Sequence, residues 1–148
     1  MRKILPLCTL MTLIALCDPA TAGANTAQLK CSGSHAGQAL TLTGEIPASI
    51  VEIDLKLSYR GQTIRLVSPK AETSGSTDFR RRVFNLEAVL SASDRLQLQA
   101  RPESIKYKGS MGSGRLNASF GAILKNAPAP FEAALKGAEV SCVYAYEI

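Results

Sequence analysis

Few residues of this chain have the types and spacing that catalysis requires. His35 is the only histidine, and it lies in a polar stretch of serine and glycine at residues 32–37. Glu52 and Asp54 would point to the same side of a strand, roughly 7 Å apart from the rise per residue. No nucleophile elbow or other catalytic signature accompanies these groups, and two carboxylates supply few ligands for a hard cation. The sequence therefore predicts a non-enzymatic protein, with no catalytic residue, metal or cofactor.

The densest charge is Arg80-Arg81-Arg82, which follows a Ser/Thr/Gly-rich connection at residues 72–78. In a strand, Arg80 and Arg82 would face one way and Arg81 the other, and such cations protect a sheet edge from aggregation. A functional interpretation is an anion-binding edge for lipid head groups, glycans or an acidic protein. We therefore treat all three arginines as candidate partner-binding residues.

A second candidate segment is the glycine-rich connection at residues 109–114, which contains Ser110 and Ser113 and precedes Arg115. It lacks the Lys-Ser ending of a phosphate-binding loop and precedes an expected strand, so phosphate binding is disfavoured. Ser113-Gly114-Arg115, together with cysteines near both ends of the chain, resembles the small exported β-barrel inhibitors of lysozyme, which present a Ser-Gly-containing loop to the enzyme's cleft. The resemblance covers only these features, because the chain has no tryptophan to match their Trp-containing segment. It implies an alternative function in which residues 110–115 enter the cleft of a lysozyme-like hydrolase.

Residues 1–24 are typical of a signal peptide. Arg2 and Lys3 precede a mostly apolar stretch at residues 4–16, and Ala20-Thr21-Ala22 offers a cleavage pattern. Cys8 and Cys17 lie within this leader, and the bulky Leu16 before Cys17 disfavours lipid anchoring. We therefore expect a periplasmic or secreted protein, without a membrane-spanning segment after cleavage.

Cys31 and Cys142 are the cysteines that remain after cleavage, and we expect them to form a disulfide. Oxidising compartments allow such bonds to persist, and each cysteine shares a strand face with apolar residues, Leu29 for Cys31 and Val140 for Cys142. A Cys-x-x-Cys redox spacing is absent. The bond would bring the first and last strands together.

From residue 28 onward, short alternating apolar segments separated by turn residues predict an all-β, antiparallel fold. Residues 51–59 alternate strictly, and a tight turn at residues 60–62 predicts a hairpin to a strand at residues 63–68. Residues 83–90 fit a strand and also a short helical stripe. Residues 131–136 are expected to be a strand. About nine strands in a meander, residues 25–148, would form a single domain closed as a small barrel, with a β-sandwich as the alternative.

The predicted function is that of an exported binding or envelope-associated module, with an envelope protein or an anionic surface as partner. Removal of the leader leaves 15 basic and 11 acidic residues, a dispersed net charge of +4 that does not favour nucleic acid. A carrier of a small apolar ligand inside the barrel is a further alternative. The sequence indicates no oligomeric state.

Overall fold

The computed structural model describes residues 26–47, 53–67 and 71–148. They form ten strands in one antiparallel sheet, as the sequence predicts in class and approximately in number. The predicted signal peptide, Cys8, Cys17 and Glu52 lie outside the described residues. The strands are β1 (Thr26–His35), β2 (Gln38–Pro47), β3 (Asp54–Tyr59), β4 (Gln62–Val67), β5 (Glu72–Asp78), β6 (Val83–Val89), β7 (Arg95–Ala100), β8 (Lys106–Ser110), β9 (Arg115–Asn126) and β10 (Glu139–Glu147).

Where apolar and polar residues alternate strictly, the apolar side of the strand is buried. In β3, Leu55, Leu57 and Tyr59 are buried, whereas Lys56 between them is exposed. The predicted hairpin from β3 to β4 is confirmed. Arg60 and Gly61 both have positive φ, 51° and 74°, as a two-residue hairpin turn requires.

The predicted disulfide is also present. β1 and β10 pair along most of their length, and Cys31 lies directly opposite Cys142 with its sulfur bonded to the partner's. Both cysteines are buried on the inner side of the sheet. The first and last strands are therefore neighbours in the middle of the sheet.

The sheet curls into a half-barrel whose order is β4-β3-β2-β1-β10-β9-β7-β6-β5. β8 lies off this path and extends the β7 side of β9, pairing with its first half while β7 pairs with its second. Neighbouring strands in this order of nine are antiparallel, so strand direction alternates from one to the next. The two edge strands, β4 in first place and β5 in ninth, therefore run in the same direction. Parallel pairing needs a crossover of roughly a dozen residues or more, and only residues 68–71 separate these strands. A closed barrel is therefore not observed; a sandwich is compatible with this open sheet.

The inner face forms one apolar core, and a phenylalanine from a connection packs into each end. Phe79, between β5 and β6, contacts Phe84, Phe120 and Tyr144 with ring centroids 5.1–6.1 Å apart. Phe131, in the β9–β10 connection at the opposite end, packs edge-on against Tyr59 at 5.7 Å. The core thus fixes the position of both connections.

Three local predictions need correction or completion. Residues 131–136 are not a strand: Glu132–Leu135 form a helical turn, α1, in which Phe131 and Leu135, four positions apart, are both buried. Residues 72–78, predicted to be a connection, form β5. Residues 83–90, ambiguous in the sequence, contain strand β6. No helix in the described part of the chain is long and apolar enough to cross a membrane.

Candidate functional site

The three arginines lie in a turn and not in the strand that their spacing suggested. Residues 79–82 form the turn of the β5–β6 hairpin, closed by a hydrogen bond from the Arg82 amide to the Phe79 carbonyl at 3.2 Å. A carboxylate oxygen of Asp78 accepts a hydrogen bond from the Arg81 amide at 3.1 Å. Phe79 is buried and anchors the turn. Arg80, Arg81 and Arg82, which follow it, project into solvent. We call residues 79–82 the arginine turn.

Ser110 and Ser113 lie in the turn of the β8–β9 hairpin, a compact helical turn at Met111–Ser113. The Ser113 amide donates to the Ser110 hydroxyl at 3.2 Å, and the Ser113 hydroxyl donates to the Ser110 carbonyl at 2.9 Å. Gly114 adopts a left-handed conformation with φ of 80°, which glycine tolerates without strain. Residues 110–115 therefore form a turn with internal hydrogen bonds, in which Ser110 and Ser113 bond to each other.

Arg115 is directed away from this turn. Its guanidinium forms an ion pair with the Glu147 carboxylate on β10, and this partner raises the pKa of Arg115 above its ordinary value. The Ile148 amide donates to the Gly114 carbonyl at 2.9 Å. The last residues of the chain thus fasten the base of the β8–β9 hairpin.

The fold brings the two candidate segments to the same end of the half-barrel. A groove of about 240 Å³ separates the arginine turn from the β8–β9 turn, and we call it the rim groove. Arg80 and Ser110 line it, together with Asp78, Tyr107 and Met111. Arg81, Arg82, Ser113 and Arg115 do not line it. Arg81 and Arg82 flank it as exposed charges on the same turn.

Tyr107 and Met111 are two groove residues that the sequence did not single out. Tyr107 occupies an inward position of β8, opposite Ala118, yet 46% of it is exposed because β8 borders the open end. Its alternation with Ile105 was visible in the sequence, but alternation predicts burial. At the open end of the sheet such a residue is accessible to solvent instead.

The electrostatics of the rim groove are cationic. Three arginines stand on the arginine turn against one carboxylate, Asp78, which forms a 3.6 Å ion pair with Arg81. The guanidinium groups of Arg80 and Arg82 form no ion pair with any residue that the structure describes. A partner that offers carboxylates would find two unpaired donors at the mouth of this groove.

A smaller cavity of about 130 Å³ lies beside the rim groove, and Thr77 and Met111 line both. Its walls include Ile46, Phe84 and Tyr144. Thr73, Ser74 and Asn85 add polar groups to its lining, and a cavity of about this size holds a molecule comparable to benzene. The interior thus has room for at most one very small ligand at this position.

The remaining candidates have structural roles. Asp54 accepts two hydrogen bonds from Arg65 on the neighbouring strand, at 2.9 and 2.6 Å, and this guanidinium lowers the pKa of Asp54. His35 is half-buried at the opposite end of the barrel, where its carbonyl accepts a hydrogen bond from the Tyr59 hydroxyl at 3.1 Å. Among the described residues, no three His, Cys, Asp or Glu side chains form a group that could hold a metal ion.

The chain was compared with protein-family models, curated proteins and solved structures. No family model matches it, and neither of the other two comparisons gives a significant match.

Proposed function

We propose that this protein is an exported, non-enzymatic binding module that engages an acidic envelope protein through the rim groove and the arginine turn. The observation that carries the proposal is the convergence of Arg80 and Ser110 on one groove, although 30 positions separate them in the sequence. Export accords with the Cys31–Cys142 disulfide, since such bonds persist in oxidising compartments.

The composition of the rim favours a protein partner. Protein interfaces are enriched in tyrosine, methionine and arginine relative to the rest of the surface. The rim groove offers all three, in Tyr107, Met111 and Arg80, and buried Phe79 fixes the backbone of the turn that carries the arginines, which lowers the cost of ordering it on binding. Acidic residues on the partner would complement the unpaired guanidinium groups.

The two alternative functions have less geometric support. In the hydrolase-inhibitor hypothesis Ser110 and Ser113 would contact the enzyme, but their hydroxyls bond within the turn, and Arg115 is held by Glu147. In the carrier hypothesis the ligand would occupy the interior, where the rings of Phe79, Phe84, Phe120 and Tyr144 pack together beside the 130 Å³ cavity.

The test combines site-specific crosslinking with charge removal. A photo-crosslinking residue replaces Tyr107 in the rim groove, and a matched protein carries it at Lys56, which is exposed on the outer face of β3. We expect Tyr107 crosslinks to one envelope protein with an acidic surface, and Arg80→Gln with Arg82→Gln, which removes the two unpaired guanidinium groups, should reduce that capture by about fivefold at low salt.

The control for charge is Lys125→Gln with Lys136→Gln, which removes two exposed positive charges elsewhere. Capture should be unchanged in that variant. Equal crosslinking from Lys56, or equal capture by both double variants, would reject the rim as the binding surface.

A further inference from the structure

A second groove lies on the outer face of the sheet, behind the disulfide. It has a volume of about 510 Å³, and its lining includes five hydroxyl side chains on four neighbouring strands. Three of them form a cross-strand row, because Ser32 on β1 lies opposite both Thr41 on β2 and Ser141 on β10. The remaining two hydroxyls belong to Thr43 and Ser119. We call this surface the hydroxyl groove.

One wall of the hydroxyl groove is fixed by the segment between β7 and β8. The Ser104 hydroxyl accepts a hydrogen bond from the Gly121 amide at 2.8 Å and donates to the Arg101 carbonyl at 2.7 Å. The Arg101 amide donates to the Gly121 carbonyl at 2.8 Å. This wall is therefore held to β9 and does not depend on a ligand for its position.

Two lysines stand in the lining at opposite sides. The register Lys30–Val143–Ser119–Lys106 runs across β1, β10, β9 and β8, which separates the two lysine positions by about 14 Å at the usual strand spacing. All five ion pairs of the described residues use an arginine, so neither lysine is neutralised by a described carboxylate. The lining contains no Asp or Glu.

The groove continues along the strands. A neighbouring depression of about 310 Å³ shares Ser32, Gly121 and Ser141 with it and ends at the ion pair between Arg101 and Glu139. Together the two depressions form an elongated track. A ligand that spans the two lysine positions is about 14 Å long.

The chemistry of the lining discriminates among extended anions. Serine and threonine hydroxyls both donate and accept hydrogen bonds, whereas lysine only donates. A sugar chain with carboxylates offers hydroxyls to the former and negative charges to the latter, while a phosphate polymer offers acceptors alone. Val143, 53% exposed on the floor between the lysines, provides an apolar contact for the C–H face of a sugar ring.

We propose that the hydroxyl groove binds an acidic oligosaccharide, with its carboxylates at Lys30 and Lys106 and its hydroxyls on the Ser32–Ser141 row. This site is on a different face from the rim groove and does not depend on the proposed protein partner.

The test is a calorimetric titration of the purified protein at low ionic strength with a hexamer of galacturonic acid, alongside a glucose hexamer and inorganic polyphosphate. We expect the acidic hexamer to bind and the neutral hexamer not to bind. Lys30→Gln with Lys106→Gln should weaken the affinity about tenfold, and Ser32→Ala with Ser141→Ala about fivefold.

Lys125→Gln with Lys136→Gln removes the same charge outside the groove and should leave the affinity unchanged. All these substitutions are at exposed side chains, so thermal unfolding should stay within a few degrees of the original protein. Absence of binding by the acidic hexamer, equal binding of the glucose hexamer, or equal weakening by the control would overturn the proposal. So would polyphosphate binding more tightly than the acidic hexamer with no sensitivity to Ser32→Ala and Ser141→Ala, because the groove would then be an unspecific polyanion surface.

Discussion

A buried phenylalanine from a connection closes each end of the half-barrel, but the two ends differ in how the surrounding chain covers the core. At one end the ring of Phe79, from the arginine turn, is buried in the core, and the rim groove and the small cavity remain open beside it. At the other end Phe131 is inserted from a longer connection, which covers the core with buried Leu135 and Ala138.

Backbone hydrogen bonds account for the difference. At the Phe131 end, the Gly137 amide donates to the Leu124 carbonyl at 2.7 Å, and the Leu124 amide donates to the Ala138 carbonyl at 2.9 Å. The Ala129 amide also donates to the Asp94 carboxylate at 2.8 Å. The Phe131 end is thus covered by hydrogen-bonded backbone, whereas at the Phe79 end one buried ring anchors the arginine turn and the three arginine side chains are exposed. Function is therefore expected at the Phe79 end.

The largest effect on both ends should come from the disulfide, because β1 and β10 extend between them. Cys31→Ser with Cys142→Ser releases a loop of 111 residues, and we expect the free energy of unfolding to fall by roughly 5 kcal/mol in the chain-entropy model. Denaturant titration measures the loss, and hydrogen exchange should show it equally at the two ends. Ser32→Ala with Ser141→Ala, the adjacent pair on the outer face, is the control and should change stability by less than about 0.5 kcal/mol.

A somewhat smaller effect should separate the ends. Phe79→Ala and Phe131→Ala each remove a buried ring, and we expect each to lower the free energy of unfolding by roughly 3 kcal/mol. Only Phe79→Ala should also reduce crosslinking from the rim groove, since it alone releases the arginine turn. The milder Phe79→Leu and Phe131→Leu keep the comparison usable if an alanine variant does not fold. Equal loss of crosslinking in both would contradict a functional difference between the ends.

Alternation in the sequence predicts most of the sheet because burial of one face imposes it directly. It fails at β5, where the inward positions are Thr73, Gly75 and Thr77, opposite Ala88, Leu86 and Phe84. These residues border the open edge of the sheet, where water reaches the inner side, so no apolar pattern marks the strand. Without β5 as a strand, the arginine turn cannot be recognised as a hairpin connection.

The candidate sites depend on register, which the sequence does not contain. Arg80 and Ser110 could be proposed separately from charge and glycine content, but their shared groove follows from the order β5-β6-β7-β9 with β8 on β9. Likewise, Ser32, Thr41 and Ser141 are unremarkable polar positions until β1 pairs with both β2 and β10. The predicted Cys31–Cys142 bond implies the pairing of β1 with β10, and therefore the contact of Ser32 with Ser141, but it does not imply the pairing of β1 with β2.

The smallest effect should appear only in alkali and should belong to the Phe79 end. Burial raises the pKa of Tyr144 to about 12, and the neighbouring Tyr146 adds to the shift. Below pH 10 the Tyr144 phenol is neutral in both the folded and the unfolded protein, so the free energy of unfolding does not depend on its titration. As the pH rises from 10 to 12, the phenol ionises in the unfolded chain before it ionises in the folded protein, and the free energy of unfolding falls. We expect a loss of at most about 2 kcal/mol over this range. Tyr144→Phe should flatten the pH dependence measured by denaturant titration, whereas Tyr107→Phe, at an exposed position, should leave it intact. If the alkaline fall in the free energy of unfolding were unchanged in Tyr144→Phe, water would reach this phenol through the open end. The rings around Phe79 would then exclude water less well than the packing around Phe131.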